Sequence, residues 1–372
     1  MDEIPLIEPV TDAAEVENVR SVLESGYLTQ GPYAERLERQ FAECTGVAEA
    51  VCVPSCTAGL ELALDAFEIG AGDEVVVPAF TYPATANAVV RTGAEPVLVD
   101  VNADSYTIDV EAARAAVTPA TEALLPVSWG GYPLATEPIA ELAAEFDLTV
   151  IEDAACAVGA EYDGEPTGSQ FDASVFSFHP RKVVTTGEGG IVTTDDRDAA
   201  ARMRTIKNFG TDPDADEIRF VRTDATNYRF SDILAAVGVA QLEKADEIVD
   251  RRRELARRYT DLLAEVDGIL PPRAPDGVGH TFQSYCVYVD SGDDDTRDRL
   301  IEALAERGIE TQIGTYALQC TEAFADAERG GDLETSRDLY RNLLTLPVAH
   351  SMTEADQRRV VTALEDSLGE HL

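Results

Sequence analysis

Lysine is the residue type that this chain most clearly lacks, because only Lys182, Lys207 and Lys244 occur among its 372 residues. Arginine supplies the remainder of the 29 basic side chains, and 70 acidic side chains bring the formal net charge to −41 at pH 7. Proteins that bind nucleic acid or anionic membranes use basic patches, so this charge balance excludes both as partners. Strong acidity with scarce lysine is typical of proteins from salt-saturated cells, and we expect a halophilic source.

Long apolar runs, paired cysteines and clustered histidines are also missing from the sequence. No stretch is apolar for long enough to span a bilayer, and the acidic start of the chain carries no basic or hydrophobic leader. The six cysteines form no CxxC pair, and the four histidines do not have the spacing of a metal site. We therefore expect a cytoplasmic, reduced and metal-free protein.

Short apolar runs alternate with amphipathic stretches of helix length from about residue 48 to residue 153. The runs rich in Val, Ile and Leu are AVCV, EVVVP, PVLVD, ALLPV and LTVIED. This pattern predicts an α/β fold in which a mostly parallel central sheet is covered by helices on both faces. Ligands of such sheets bind beyond the carboxyl ends of the strands, so the residues after each run are the candidates for chemistry.

The alternation stops after about residue 190. A predicted long helix over residues 231–265 is followed by the proline-rich PPRAPDG, a strand at FQSYCVYVD and two further helices. A chain of this length favours two domains. We predict a large domain over residues 1–245 and a smaller C-terminal α+β domain over residues 246–372, joined by the long helix.

Lys182 lies between a predicted strand and a glycine-rich turn in the stretch FSFHPRKVVTTGEGG. The glycines permit a tight turn that brings backbone close to a ligand. A lysine in a partly buried pocket has a lowered pKa and can form a Schiff base with a carbonyl, which is the role that the aldehyde of pyridoxal phosphate requires. The alternative is a surface lysine beside a turn, but a chain with three lysines favours the functional interpretation.

Asp153 ends the predicted strand LTVIED and is followed by small residues. Its carboxylate is expected at the carboxyl edge of the sheet, where it would keep a pyridine nitrogen protonated so that the ring can withdraw electrons. An aspartate after a strand is otherwise a turn residue or a helix cap. Together with Lys182, Asp153 makes a coherent candidate site for pyridoxal phosphate.

Three further segments are candidates for ligand contacts. The residues Ser55–Thr57 precede a predicted helix, where N–H groups and the helix dipole attract an anion; an ordinary N-cap is a compatible interpretation. Tyr82 follows a buried strand and would lie on a planar ring or pack in the core. Asn227 and Arg229 open the long predicted helix, where they would face a phosphate or a subunit boundary, or serve as a cap and a solvated cation.

The chain resembles the DegT/DnrJ/EryC1/StrS family of sugar aminotransferases in the segments SGYLTQGP, PSCTAGLELAL, GAGDEVVVPAFTYPATANAV, IEDAACAVGA, SFHPRKVVTTGEGG and NYRFSDILAAVGVAQL. The resemblance runs in order from about residue 4 to residue 365. It implies a fold-type-I, pyridoxal-phosphate-dependent enzyme that moves an amino group from glutamate or glutamine onto a ketosugar, usually a nucleotide-linked one. Family members with histidine in place of the lysine are sugar dehydratases, so Lys182 implies a transaminase.

The resemblance also implies roles for single residues. Lys182 would hold the cofactor as a Schiff base, Asp153 would pair with the pyridine nitrogen, and Tyr82 would stack on the ring. Asn227 would reach the phosphate of the neighbouring subunit, which implies a homodimer. The residues implied to contact the cofactor are Ser55, Cys56, Thr57, Ala58, Tyr82, Asp153, Cys156, Ser177, His179, Lys182 and Asn227, and of these Thr57, Ala58 and Ser177 would hold the phosphate.

Some positions depart from the family pattern. Cys156 stands where relatives usually carry Gln or His, which weakens the expected contact to the ring hydroxyl, and Cys56 stands where Gly is common. Thr315 and Tyr316 stand at a usual His and Tyr pair, and with SWGGY (Ser128 to Tyr132) they are expected to face the sugar. The expected substrate contacts are Trp129, Arg229, Thr315 and Tyr316.

Two other functions fit the same residues. One is a type-I aminotransferase that acts on another keto compound, such as a cyclitol or a keto acid. The other is a regulatory relative that keeps the fold without turnover, although intact Lys182 and Asp153 argue against it.

Overall fold

The computed structural model describes residues 3–212, 215, 217–293 and 295–371. The helices in these ranges are α1 Ala13–Ser25, α2 Pro32–Thr45, α3 Cys56–Ala66, α4 Ala84–Thr92, α5 Val110–Ala116, α6 Thr136–Phe146, α7 Arg197–Ile206, α8 Asp232–Leu242, α9 Ala245–Leu263, α10 Thr296–Glu306, α11 Glu334–Asn342 and α12 Glu354–His371. The strands are β1 Glu49–Val53, β2 Glu74–Pro78, β3 Phe80–Thr81, β4 Glu95–Val99, β5 Thr121–Leu124, β6 Thr149–Asp153, β7 Glu161–Tyr162, β8 Glu165–Pro166, β9 Ala173–Ser177, β10 Gly190–Thr194, β11 Ile269–Leu270, β12 Val278–Gly279, β13 Tyr285–Val289, β14 Gln312–Ile313, β15 Tyr316–Ala317 and β16 Leu343–Leu346.

The main sheet has seven strands in the order β1-β10-β9-β6-β5-β2-β4. The pairs from β9 to β4 are all parallel, and β10 alone runs antiparallel to its two neighbours, β1 and β9. The predicted α/β fold with a mostly parallel sheet is therefore confirmed. Its parallel strands end at one edge, and the candidate residues of the site follow those ends.

Both faces of the main sheet are buried, because neighbouring residues of a strand point to opposite sides. In β2, Val75 and Val77 pack in a cluster with α3 and α7, whereas Val76 packs on the other face in a cluster with α5 and α6. A third cluster packs α2 and α8 on the same sheet beneath β1 and β9. The continuous apolar runs of the sequence are the result of this burial on both faces.

A second, smaller sheet in the C-terminal part has the order β11-β13-β16-β14 and is antiparallel throughout. Its cluster of buried side chains includes residues of α9, α10 and α12. Ile4 belongs to the same cluster and pairs with Ile309, so the start of the chain packs on the C-terminal part. The boundary at residue 245 stays a prediction.

The single long helix predicted over residues 231–265 is wrong, because the chain forms α8 and α9 with a break at Glu243 and Lys244. At the break, the N–H of Lys244 bonds to the carbonyl of Gln241 over a tight turn, and its side chain reaches Glu15 at 2.6 Å. α8 packs against α1 and α2, whereas the second half of α9 packs in the C-terminal cluster. The two helices therefore pack against different parts of the chain.

No helix within the described ranges has the combination of length and apolar composition that a transmembrane segment requires.

Candidate active site

The candidate residues meet where β6 and β9 end and where α3 begins. Asp153 is the last residue of β6, and Ser177 is the last residue of β9. Gly190, at the start of β10, pairs with both Ser177 and Val53, the last residue of β1. The chain enters α3 three residues after Val53, which brings the start of this helix to the same edge of the sheet.

Asp153 is buried, and its carboxylate is held by two donors. The hydroxyl of Thr85 donates to Oδ2 at 2.7 Å, and the N–H of Ala155 donates to Oδ1 at 3.1 Å. Burial raises the pKa of the Asp153 carboxyl, although these two bonds and the charge of Lys182 oppose the rise. A cationic ligand beside Asp153 would stabilise the ionised form that burial disfavours.

Lys182 lies in the turn after β9, and its amine is in contact with a thiol instead of a carboxylate. The Nζ atom is 3.0 Å from Sγ of Cys156. The other two lysines are both used in ion pairs, Lys207 with Glu38 at 3.4 Å and Lys244 with Glu15 at 2.6 Å. Among the described residues, no carboxylate lies within ion-pair distance of Lys182, so its amine is the one available for covalent chemistry.

The lowered pKa that we predicted for Lys182 is wrong for the protein alone. Burial does lower the pKa of the amine, but the adjoining Cys156, Cys56 and Asp153 favour the charged form and outweigh it, so the pKa is raised. The sequence interpretation considered burial and did not include the acidic groups around the amine.

The start of α3 provides the donors of an anion site. Ser55 caps this helix, because its Oγ accepts the N–H of Ala58 at 3.1 Å. Thr57 lies in the first turn and is partly exposed. A Cβ atom on Gly190 would come within 2.8 Å of the Cys56 nitrogen, so the close approach of β10 to this helix start requires glycine. The helix start is thereby fixed beside Ser177.

Cys56 faces the aspartate, with Sγ at 3.9 Å from Oδ1 of Asp153. Burial, and then the charge of Asp153, raise the pKa of this thiol well above its ordinary value. His179 is exposed two residues after Ser177, whose Oγ accepts its N–H at 3.4 Å. Partial desolvation of its ring and the nearby charge of Lys182 lower the pKa of His179, although Glu188 opposes this. Both residues lie at the predicted site.

Tyr82 and Tyr316 lie beside each other at the open side of the site. Tyr82 follows β3 and is 65% exposed, and its ring centroid is 6.2 Å from that of Tyr316. The pairing of β15 with β3 places Tyr316 opposite Thr81 and thus brings the C-terminal loop to the site. Thr315, the preceding residue, is buried.

Trp129 is buried among aromatic side chains, with its ring centroid 5.4 Å from that of Phe80 and 5.2 Å from that of Tyr106. Its direct contact with a substrate therefore stays a prediction. Asn227 is exposed, on a bridge to Asn208, and Arg229 donates to Oδ1 of Asn208 at 3.1 Å. Neither Asn227 nor Arg229 has a contact with Lys182 or Asp153 among the described interactions of one chain, so their roles stay predictions.

Sequence reasoning missed several residues around the site. Thr85 could have been noticed as a hydroxyl in the first turn of α4, but nothing in the sequence pairs it with Asp153. Glu152 is fully buried beside Asp153 and accepts bonds from Ser128 at 2.5 Å and from Ser174 at 2.7 Å. Burial raises the pKa of Glu152 to about 7. A glutamate inside the apolar run LTVIED could have indicated that Glu152 is buried, but we did not predict it.

The donor set fits pyridoxal phosphate. Lys182, which has no ion pair among the described residues, suits the aldehyde of the cofactor, and the buried carboxylate of Asp153 suits its pyridine nitrogen. The capped start of α3, with its serine and threonine hydroxyls, suits the phosphate. The main sheet and this set of residues define a fold-type-I, pyridoxal-phosphate-dependent aminotransferase.

The model of the DegT/DnrJ/EryC1/StrS aminotransferase family matches residues 9–365, and the chain belongs to this family. The structure is similar to that of DesV from S. venezuelae, solved with a ketimine intermediate (33% identity, 98% of each chain, TM-score 0.90). It is also similar to the pyridoxal-phosphate form of Spr1654 from Streptococcus pneumoniae, named as a sugar aminotransferase (27% identity, 100% of each chain, TM-score 0.93). A third similar structure is 3-amino-5-hydroxybenzoic acid synthase (28% identity, 99% of each chain, TM-score 0.93).

Membership of this family makes the protein an aminotransferase that uses pyridoxal phosphate, an amino donor and a keto acceptor. The regulatory alternative without turnover is thereby disfavoured. The individual sugar and the donor are not defined by these similarities.

Proposed function

We propose that the protein transfers an amino group from glutamate or glutamine to a nucleotide-linked ketosugar, with Lys182 as the lysine that binds the cofactor aldehyde. The observation that carries this proposal is the placement of the unpaired amine of Lys182 and the buried carboxylate of Asp153 at one edge of the sheet. The name of Spr1654 supports a sugar as the acceptor, since this relative is named as a sugar aminotransferase and matches the full chain.

When bound, pyridoxal phosphate supplies an aldehyde that carries the amino group and a ring that withdraws electrons from the bond being broken. In our proposal Asp153 keeps the proton on the ring nitrogen, and Thr85 holds the carboxylate in place through its 2.7 Å bond. Tyr82 covers the ring, and Cys56, Cys156 and His179 line its edge. The phosphate is held by Thr57, Ala58 and Ser177, at the helix start that Ser55 caps.

Lys182 has two tasks in this proposal. Its amine binds the cofactor until the donor displaces it, and the free amine then moves a proton to and from the carbon that gains or loses the amino group. Both tasks require a group that can lose its proton. An arginine at this position stays protonated and would perform neither.

We also propose a homodimer, in which Asn227 reaches the phosphate site of the partner and Arg229 lies at the substrate side. Large apolar side chains are exposed near this segment: Tyr27 at 68%, Ile218 at 84% and Phe220 at 68%. A second copy of the chain would cover them, and exposed apolar patches are typical of such contacts.

In our proposal the substrate side of the site is formed by Thr315, Tyr316 and the exposed face of Tyr82, and Trp129 is a further substrate contact. Two tyrosine rings at the site opening suit a sugar ring, whose apolar face packs on aromatic side chains. A second candidate acceptor is another cyclic keto compound. The similarity to 3-amino-5-hydroxybenzoic acid synthase favours this candidate, because that relative is named for a product that is not a sugar.

The covalent attachment of the cofactor tests the role of Lys182. The purified protein is expected to absorb near the visible range, and the band should be lost in Lys182→Arg but kept in Lys244→Arg, a matched change at a lysine in an ion pair. Glutamate or glutamine should then bleach the band, and a panel of nucleotide-linked ketosugars should restore it. Restoration by cyclic keto compounds that are not sugars, but by none of the ketosugars, would support the second candidate. A colourless wild type that takes up no cofactor would contradict the proposal.

A further inference from the structure

Three consecutive arginines, Arg251, Arg252 and Arg253, lie in α9 next to the candidate site. Arg251 donates to the carbonyls of His350 and Met352, in the C-terminal part of the chain. Arg253 donates to the carbonyls of residues 159, 279 and 280. In so acidic a chain a cation has many possible carboxylate partners, and yet these arginines donate chiefly to backbone.

Arg252 differs from its two neighbours in having no ion pair. Arg251 pairs with Glu254 at 2.5 Å and Arg253 with Asp250 at 3.8 Å, but no described carboxylate lies within ion-pair distance of Arg252. The side chain is only 4% exposed, and burial lowers the pKa of Arg252 to about 10. Burial of an unpaired charge is costly unless hydrogen bonds compensate for it. The hydrogen bonds of Arg252 therefore indicate which part of the chain this side chain stabilises.

Arg252 forms these hydrogen bonds with the turn that contains Lys182 and with Gln283, which bonds to the same turn. Arg252 donates to Oε1 of Gln283 at 2.7 Å, and its other Nη atom lies 3.4 Å from the carbonyl of Lys182. Gln283 is also buried, and its amide donates to the carbonyl of Arg181. Two successive carbonyls, one on each side of the Lys182 nitrogen, are thus held by the same pair of side chains.

The same turn has further bonds to the C-terminal part. The Arg181 side chain donates to Oε1 of Gln312 in β14 at 2.7 Å. Within the turn, the N–H of Lys182 bonds to the carbonyl of His179 at 2.9 Å. Gln283 lies two residues before β13. The turn of Lys182, which follows β9 of the main sheet, is therefore attached through Arg181 and Gln283 to β14 and to the segment before β13 of the second sheet.

We propose that Arg252 and Gln283 are positioning residues that hold the backbone of Lys182 so that its amine stays within reach of the cofactor aldehyde. Neither side chain is assigned to the cofactor or the substrate, and the inference rests on the role of Lys182 in the proposed function. Effective proton transfer and covalent attachment depend on placement to within about 1 Å, and a displacement of that size can lower the rate by about 100-fold.

The test uses the cofactor-loaded enzyme and the variants Arg252→Met, Arg252→Lys and Gln283→Met. Arg251→Met is the matched control, because it also removes bonds from α9 to backbone carbonyls, but to His350 and Met352. Two quantities are measured: kcat and KM for the donor separately, and the pH at which the absorbance of the bound cofactor changes.

Arg252→Met and Gln283→Met are expected to lower kcat by about 10- to 100-fold with little change in KM, and to move the midpoint of the absorbance titration. Arg252→Lys should recover part of the loss, and Arg251→Met should behave like the wild type. Because both residues act in one chain of bonds, the double variant should be no worse than the poorer single variant.

A normal kcat and an unmoved titration in Gln283→Met would overturn the inference, as would an equal loss of kcat in Arg251→Met. Gln283→Met removes no charge, so it decides the question even where Arg252→Met does not fold. Loss of the cofactor band in the wild type, or its retention in Lys182→Arg, would contradict the proposed function itself. The two failures are therefore distinct.

Discussion

Cys156 is the residue at which the contact with the reactive amine is most unusual. Its thiol lies 3.0 Å from Nζ of Lys182, and it is among the groups that raise the pKa of this amine against the effect of burial. The thiol of Cys156 therefore affects the pKa of the Lys182 amine directly. The amine must lose its proton before it can attack an aldehyde.

Removal of this thiol should make Lys182 reactive at lower pH. In Cys156→Ala, burial remains while one of the groups that favour the charged amine is gone, so the pKa of Lys182 should fall. The rate at which the cofactor-free protein takes up pyridoxal phosphate, measured against pH, should have its midpoint at lower pH than in the wild type. Cys44→Ala, at an exposed cysteine, is the control. A midpoint shifted upward would contradict the prediction.

Glu152 is a buried carboxyl whose protonation should affect stability. Its pKa is raised from 4.5 to about 7 by burial, so the folded protein binds a proton that the unfolded chain releases between these two values. Glu152 therefore contributes on the order of 3 kcal/mol to the free energy of unfolding below pH 4.5, and this contribution is lost as the pH rises through 7.

Glu152→Gln should remove this pH dependence. The amide can accept from one of the two serine hydroxyls and donate to the other, so its bonding is preserved without a charge. The free energy of unfolding of the variant, measured by denaturant titration, should exceed that of the wild type at pH 8 and approach it at pH 5. A difference that is the same at both pH values would rule out Glu152 as the titrating group.

Among single residues, those whose place in the site follows from the end of a strand were predictable from the sequence. Those that contact the site from a distant part of the chain were not. Asp153 ends one parallel strand and Lys182 follows another, and the edge of a parallel sheet is where such residues meet. Thr85, Gln283 and Arg252 lie on other elements, and only folding brings them to the site. Hydrogen bonds between elements leave no periodic pattern in a sequence.

At the scale of elements, the order of strands and helices up to β6 was predictable because burial on both faces leaves continuous apolar runs. The break between α8 and α9 was not predictable, because the sequence on both sides of it has the composition of a helix. At the break, the side chain of Lys244 lies 2.6 Å from Glu15 and 3.0 Å from Asp12. That ion-pair cluster joins residues more than 200 positions apart.

The junction of β10 and α3 offers a test at the same scale. A Cβ atom on Gly190 would lie 2.7 Å from the carbonyl oxygen of Phe176 and 2.8 Å from the nitrogen of Cys56, both of them backbone atoms. Gly190→Ala should displace the start of α3, lower the stability by about 1 to 3 kcal/mol and weaken cofactor binding.

Calorimetry and a cofactor titration measure these two effects of Gly190→Ala. Gly369→Ala, in α12 with open space around its Cα, is the matched control and should leave both quantities near their wild-type values. Unchanged affinity in Gly190→Ala would show that the helix start does not hold the phosphate.

For the whole molecule, the net charge of −41 and the exposed apolar side chains act against each other. The exposed side chains of Tyr27 and Leu28 lie beside the start of α8, since Leu28 accepts a backbone bond from Asp232. Those of Ile218 and Phe220 lie on a segment that pairs with Thr211. In a dimer two such charges approach each other. Their repulsion reaches about 10 Å at 0.1 M salt but only about 3 Å at 1 M.

The proposed dimer should therefore form at high salt and dissociate at low salt. Light scattering in KCl is expected to give twice the chain mass at molar concentrations and a mass close to 40.0 kDa at about 0.1 M. Phe220→Glu should stay monomeric in both, because it adds charge to the apolar surface, whereas Leu270→Glu, on β11 of the C-terminal sheet, should dimerise like the wild type. Cofactor affinity should fall together with the dimer, since Asn227 would no longer reach its partner's phosphate. A monomer that binds the cofactor tightly at every salt concentration would separate the site from the dimer and remove the role proposed for Asn227.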